Sequence, residues 1–240
     1  MSPVRTRIFV FWSAMPKYKR SASIFLPAIF LTVFTGRSQQ PHPIVRVLSK
    51  AEIQTTINDS VKSGFKLSFP ISQVYKYTDN SGTYFCVLME SNDSIGLTEG
   101  KTDTFSRNIK AVDLKLNGNG LTKIWELNDH ILKNDEKEYT IWFWKSYLSF
   151  EDYDGDSLVD PFLVYGTWGD DGYENGRIKF IIYLKGKKFA MRHQSSTFDE
   201  VRSTEFEAGY DALPKKLRDE MNAKIARIQK EKRGYFYPLP

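Results

Sequence analysis

Asn108-Ile-Lys-Ala-Val-Asp-Leu-Lys-Leu-Asn-Gly-Asn-Gly-Leu-Thr-Lys-Ile-Trp-Glu-Leu127 alternates apolar and polar residues on both sides of an Asn-Gly-Asn-Gly turn. Such a pattern is typical of a two-stranded antiparallel hairpin. It recurs around Lys185-Gly-Lys187, where residues 177–184 and 188–193 form the arms. The succession of short hairpins predicts a meandering, mainly antiparallel sheet of about eight strands.

Two segments outside the hairpins have helical patterns. Ser49 to Ser63 begins with a capping box, in which Ser49 is the N-cap and Glu52 the third helical residue. Leu213 to Glu231 carries apolar residues at helical spacing, with Pro214 at the first position. We therefore predict an α+β fold for a single domain at 49–240, with a short N-terminal helix and a C-terminal amphipathic helix packed on the sheet.

The C-terminal helix is predicted to carry a basic outer face. Its members are Lys215, Lys216, Arg218, Lys224, Arg227 and Lys230. A solvated charged face is one interpretation, and binding of anionic lipid or polysaccharide is the other.

The first 38 residues form a separate segment with six basic residues and no acidic one. An apolar stretch at 21–35 is followed by Gly36-Arg-Ser38, the pattern of a secretory signal peptide cleaved before Gln39. The alternatives are that translation starts at Met15 and that the segment is kept as an uncleaved N-terminal anchor. We expect an exported protein of the periplasm or cell surface, with a linker at 39–48 and no transmembrane span after cleavage.

The formal net charge of +5 belongs to this leader. Of 34 basic residues the leader holds six, so 28 remain against 29 acidic residues. Nucleic-acid binding requires a basic surface on the folded domain, so we expect no nucleic-acid partner. Cys86 is the only cysteine, which excludes an internal disulfide and favours a buried, inert thiol.

The candidate metal ligands of this sequence lie in one segment, Asp152-Tyr-Asp154-Gly-Asp156-Ser-Leu158-Val-Asp160. The carboxylates occupy relative positions 1, 3, 5 and 9, and the backbone carbonyl of Leu158 would contribute at position 7. Calcium takes six to eight oxygen ligands, and this spacing lets a short loop surround it. An acidic turn without an ion is the alternative.

The flanks of this loop are aromatic and β-branched, which predicts strands on both sides. Position 12 is Leu163 rather than glutamate, so the loop is not an EF-hand. It resembles the calcium loops of FG-GAP and integrin-type repeats, except that Ser157 replaces a glycine with positive φ. A serine there costs about 1 kcal/mol. We expect a weak structural calcium site with a dissociation constant of roughly 0.1–1 mM.

A second acidic, glycine-rich segment runs from Gly166 to Gly176, beyond the next strand. It is predicted to lie at the far end of that strand from the first loop. A plain surface loop is one interpretation. The other is a ligand-facing lip that carries Trp168 and Tyr173.

No Gly-x-Ser-x-Gly, His-Glu-x-x-His or phosphate-loop motif is present. His193 is expected to be a satisfied histidine at a strand end. The leading hypothesis is a non-enzymatic cell-envelope protein with a calcium-ordered loop. The alternatives are a carbohydrate-active enzyme that uses Asp or Glu carboxylates near the same loop, and a structural domain without a ligand.

The chain also resembles a family of small exported bacterial proteins described as surface polysaccharide biosynthesis proteins. The resemblance covers roughly residues 100 to 235. It is carried by residues 150–161, Val164-Tyr-Gly-Thr167, Asn175-Gly-Arg-Ile-Lys179, Arg192-His-Gln194, Asp103-Thr-Phe-Ser-Arg107 and the Leu213-Pro helix. It implies a cell-envelope location, with surface polysaccharide or an envelope protein as the partner, and it supplies no catalytic residues to carry over.

Overall fold

The computed structural model describes residues 43–98, 101–132, 137–169, 171–207 and 209–237. The predicted leader at 1–38 and the start of the predicted linker lie outside these ranges. The described residues form an α+β fold dominated by antiparallel sheet, with a C-terminal helix, as predicted.

Thirteen strands and three helices are present in the described residues. The strands are β1 Ile44–Val47, β2 Ile71–Asp79, β3 Gly82–Glu90, β4 Ser94–Thr98, β5 Lys101–Phe105, β6 Asn108–Asn117, β7 Gly120–His130, β8 Glu138–Phe143, β9 Ser149–Glu151, β10 Asp160–Gly169, β11 Arg177–Leu184, β12 Lys187–Gln194 and β13 Ser203–Phe206. The helices are α1 Lys50–Thr56, α2 Asp59–Gly64 and α3 Lys215–Lys230, with single 3-10 turns at Lys145–Tyr147 and Tyr210–Ala212.

The strands form two large meanders. The first sheet has the order β1-β2-β3-β6-β7, and the second has the order β13-β12-β11-β10-β8, with β9 also paired to β10. The predicted Asn-Gly hairpin joins β6 to β7, where Asn117 pairs with Gly120 and Gly118 has a φ of 57°. Strands β4 and β5 form a separate hairpin.

The two sheets pack face to face and each carries helices on its outer face. Alternation along β3 places Cys86 in the core between the sheets and Val87 under α1 and α2. Alternation along β10 likewise places Leu163 between the sheets and Phe162 under α3. The result is four layers, helix–sheet–sheet–helix, rather than one sheet.

The N-terminal helical segment differs from the prediction of one helix over 49–63. The capping box of Ser49 and Glu52 is present, but Ile57 ends α1 and Asn58 caps α2 by accepting a 3.0 Å hydrogen bond from Val61 N–H. Asparagine stabilises a helix start better than a helix interior, which explains the break.

Several predicted loops contain strands. Strand β1 lies in the predicted linker at 39–48, and β4 with β5 lies in the polar stretch at 92–107, whose composition is typical of a loop. Residues 166–169, assigned to the second acidic loop, continue β10. These segments are short, polar or glycine-rich, so their strand signal in the sequence is weak.

The prediction that the basic face of α3 is solvated is wrong for Lys224, which is buried. The residue is 7% exposed and lies seven positions after Leu217 and four before Ile228, on the apolar side of the helix. Its ammonium group lies 2.7 Å from Glu220 Oε1 and 5.0 Å from the centre of the Phe162 ring. Within the described residues, no helix combines the length and apolar character that crossing a membrane requires.

Candidate metal centre

The Asp-rich segment closes the hairpin of β9 and β10, in which Glu151 pairs with Asp160. The predicted strands on both sides of the loop are therefore confirmed. Antiparallel pairing holds the first and last residues of the loop together, so its carboxylates are confined to one small region.

Three of the predicted ligands converge. Asp152, Asp154 and Asp156 each offer a carboxylate oxygen, and these oxygens all lie within 4.8 Å of one another. Backbone hydrogen bonds orient the side chains: Gly155 N–H donates to Asp152 Oδ1 at 2.6 Å, and Ser157 N–H donates to Asp152 Oδ2 at 2.8 Å. The loop thus orders its own carboxylates.

Asp160 and Leu158 stand apart from this group of three. Asp160 is 2% exposed, and its Oδ2 accepts a 2.9 Å hydrogen bond from Tyr153 N–H. Burial raises the pKa of Asp160 to about 7, the bond from Tyr153 opposes the rise, and the charges of the other loop aspartates add to it. Leu158 donates its N–H to Asp156 Oδ1 at 2.9 Å, and no hydrogen bond among the described residues uses its carbonyl oxygen.

Ser157 has a φ of 68° and Gly155 a φ of 81°. Ser157 therefore adopts the left-handed conformation that the resemblance to the calcium-binding repeats implies. A serine in that conformation costs about 1 kcal/mol relative to glycine. The loop keeps this strained shape with serine in place.

Two lysines approach the loop from other elements. Lys185 Nζ, in the turn between β11 and β12, lies 3.1 Å from Asp154 Oδ2. This contact is an ion pair without hydrogen-bond alignment, and that oxygen is buried. Lys216 Nζ, on α3, donates to the carbonyl of Asp152 at 2.8 Å and lies 3.2 Å from Glu151 Oε2. Part of the negative charge is thus balanced by the protein itself.

The loop is also tied to the first sheet, which the sequence did not reveal. Asp79 ends β2, and its Oδ2 accepts a 3.0 Å hydrogen bond from Val159 N–H. The two residues are far apart in sequence, so no local pattern could have indicated the contact. A groove of about 770 Å³ runs beside the loop and is lined in part by Asp79, Glu151 and Asp152.

His193 lies outside the Asp-rich loop, and each of its ring nitrogens has a hydrogen-bond partner. The residue is 2% exposed; its Nε2 donates to the carbonyl of Tyr235 at 2.6 Å, and its Nδ1 lies 2.9 Å from Thr204 Oγ1. The ring stacks on Phe236 with 3.8 Å between centres. Cys86 is fully buried in the core, and burial raises the pKa of its thiol. Both residues have the structural roles expected from the sequence.

Trp168 and Tyr173, from the second acidic segment, line one shared cleft. The cleft does not include any residue of the Asp-rich loop. No protein-family model matches this chain, and no curated protein or solved structure shows significant similarity to it.

Proposed function

We propose that this chain is an exported, non-enzymatic protein of the cell envelope in which calcium orders the loop at 152–160, on a surface that faces surface polysaccharide. The observation that carries the calcium site is the convergence of Asp152, Asp154 and Asp156 within 4.8 Å. Three carboxylates at that separation repel one another, and a dication offsets the repulsion.

The proposed ligand set extends beyond the three converging residues. Asp160 contributes its second oxygen and Leu158 its backbone carbonyl, as the spacing of the loop predicts, and water completes the shell. The Oδ2 of Asp154 supports this set because it is buried and already attracts a cation, the Lys185 ammonium group 3.1 Å away.

In this proposal Lys185 competes with calcium for the carboxylate of Asp154. Its side chain is 63% exposed, and solvent screens the ion pair that it makes with Asp154. A dication held by several carboxylates interacts more strongly than one flexible lysine, so we propose that Lys185 moves away when calcium binds.

The non-enzymatic interpretation is favoured by how two of the three groove carboxylates, Asp79 and Asp152, are used. Both oxygens of Asp152 accept hydrogen bonds from the loop backbone, and both oxygens of Asp79 accept from its own turn or from Val159. Carboxylates held in this way suit structural support better than proton transfer. The enzyme hypothesis would require two carboxylates facing each other across the groove, about 5–10 Å apart.

Export rests on the leader pattern and on the resemblance to exported envelope proteins. N-terminal sequencing of the protein recovered from the periplasm or cell surface tests it directly. We expect the first residue to be Gln39 or a close neighbour, and an intact leader would indicate an anchor.

The calcium site is tested by thermal unfolding with about 5 mM calcium, magnesium or EDTA. A dissociation constant near the middle of the expected range gives a stabilisation of about 1.4 kcal/mol and a rise of roughly 3–5 °C. Asp154→Asn should abolish the calcium-specific rise. Asp211→Asn, which removes an exposed carboxylate outside the loop, should retain it. Equal melting temperatures in calcium and EDTA would exclude the ion.

A further inference from the structure

A cleft of about 660 Å³ lies along β8, the edge strand of the second sheet. This volume lies within the range of small-molecule sites, about 300–1,000 Å³. Its walls come from β5, β8, β10 and the segment around Tyr173, so residues distant in sequence meet there. The cleft contains far more aromatic surface than the groove beside the Asp-rich loop.

Besides Phe143, which belongs to the core between the sheets, five aromatic residues line the cleft: Phe105, Trp142, Trp144, Trp168 and Tyr173. On one side the ring centre of Tyr173 lies 6.1 Å from that of Trp142 and 5.9 Å from that of Trp144. On the other side Phe105 and Trp168 are 6.4 Å apart. Four of the rings are only partly buried, Trp144 being the exception, so part of each of these side chains is accessible to solvent.

Charged groups lie among the rings. Glu90 Oε1 accepts a 3.2 Å hydrogen bond from Phe143 N–H, and its Oε2 has no hydrogen-bond partner among the described residues. The Arg233 guanidinium lies 5.6 Å from the centre of the Tyr173 ring, and Lys145 also lines the cleft. Two cations and one carboxylate line the cleft. Arg233 Nε also lies 3.6 Å from Glu231 Oε2, and Lys145 Nζ donates to the carbonyl of Ser72 at 3.4 Å.

The edge of β8 is already occupied, which argues against a peptide ligand. Ile141 N–H donates to the carbonyl of Ser106 at 2.8 Å, and Phe143 N–H donates to Glu90. An added peptide strand needs these donors. The ligand must therefore use the side chains of the cleft rather than the strand backbone.

We propose that this cleft binds a short saccharide that carries a carboxylate. A sugar ring has an apolar C–H face that packs on an aromatic ring, and its hydroxyl groups suit the free oxygen of Glu90. The carboxylate suits Arg233 and Lys145. The choice of ligand class rests on the proposed function, whereas the position of the site does not, because calcium and the Asp-rich loop are not involved.

The test is isothermal titration of the protein with a panel of neutral and acidic trisaccharides, including cellotriose and trigalacturonic acid. We expect saturable binding, tightest for an acidic member. Trp168→Ala should weaken binding about tenfold or more, the usual effect of losing a central aromatic contact, and Trp168→Phe should recover part of the loss. Phe198→Ala, which removes an exposed ring outside the cleft, is the matched control.

Arg233→Gln tests the charge component separately. It should weaken binding of trigalacturonic acid several-fold and leave that of cellotriose unchanged. No binding by any member of the panel, or binding that Trp168→Ala does not affect in a protein of normal melting temperature, would overturn the saccharide site. Equal affinity for the two probes would overturn the charge preference. A calcium-dependent melt together with no saccharide binding would leave the metal site intact and reject the cleft alone.

Discussion

Asp79 Oδ2 accepts a hydrogen bond of 3.0 Å from the backbone N–H of Val159. The bond joins the turn between β2 and β3 of the first sheet to the Asp-rich loop of the second. The same carboxylate also holds its own turn, because its Oδ1 accepts from Ser81 N–H at 2.8 Å. One side chain therefore connects the two sheets at the candidate metal centre.

Asp79→Ala should destabilise the protein and loosen the loop. Removing the acceptor leaves Val159 N–H without its partner, which costs about 1–3 kcal/mol. We expect a lower melting temperature and weaker calcium binding, measured by unfolding over a calcium titration. Ser81→Ala is the control, since it removes a hydroxyl of the same turn and keeps the carboxylate. If Asp79→Ala reduced stability but left the calcium dependence unchanged, the contact would serve the fold alone.

Lys185→Met separates the two interpretations of the acidic loop. If calcium displaces Lys185 from Asp154, the variant should bind calcium more tightly, by roughly a few-fold, because it removes the ammonium group that competes with the ion for this carboxylate. In EDTA it should melt at a lower temperature than the parent. Lys187→Met, an exposed lysine that follows the same turn, should match the parent in both conditions.

Stability of Lys185→Met that is lowered in EDTA and not restored by calcium would contradict the metal site. The acidic run would then be a turn neutralised by lysine. Because the two variants differ only in which lysine is removed, a general effect of charge would appear in both.

Local patterns predicted the elements whose signals are contained in a few adjacent residues. The hairpin at Asn117 and the cap at Ser49 follow from turn and capping chemistry, and the meeting of Asp152 with Asp156 follows from loop spacing. Strand β1 was missed because it is only four residues long and directly follows Pro43, although its Ile and Val residues favour a strand.

The tertiary contacts could not be predicted from the sequence. The contact of Asp79 with Val159, and the meeting of Phe105 with Trp168 in the cleft, depend on how separate hairpins pack. The division into two sheets has the same origin, because both faces of β3 and β10 are apolar and a strand buried on both sides gives no alternation to orient it.

Asp113→Asn should change how stability depends on pH. Asp113 is 1% exposed between the sheets; its Oδ2 accepts a 2.8 Å hydrogen bond from Tyr77, and its Oδ1 is buried without a partner. Burial raises the pKa of this carboxyl to about 7, against the bond from Tyr77. The raised pKa means that the neutral carboxyl stabilises the folded state. This stabilisation is fully present below the unfolded pKa of 3.8 and is lost as pH rises through about 7.

The wild type should therefore lose roughly 2–3 kcal/mol of unfolding free energy at this site between about pH 5 and pH 8. The asparagine variant stays neutral and should not show that loss. Urea unfolding at the two pH values measures the difference, with Asp219→Asn on the exposed side of α3 as the control. Parallel pH profiles for wild type and Asp113→Asn would show that the carboxyl is ionised in the folded protein.

His193 should release the C-terminal segment in acid. Burial lowers the pKa of its imidazole to about 4, and the hydrogen bond to the carbonyl of Tyr235 opposes this shift. The pKa of His193 is lower in the folded state than in the unfolded state. The stabilisation that neutral His193 gives the fold is therefore present above the unfolded pKa of 6.5 and is lost as pH falls towards 4. Protonation places a charge against Phe236 and next to Arg202, whose charge also disfavours the imidazolium, while Thr204 loses its acceptor.

We expect hydrogen exchange of the backbone at 235–237 to accelerate as pH falls from about 6.5 to 4, after correction for the intrinsic pH dependence of exchange, while the strands of the core remain protected. His193→Gln retains a donor for the Tyr235 carbonyl and cannot be protonated, so its exchange at these residues should not change with pH beyond the intrinsic effect. His130→Gln, at the end of β7, controls for loss of a histidine as such. Acceleration that persists in His193→Gln would assign the release to the carboxylates around the segment instead, because those groups are the remaining titrating side chains in this pH range.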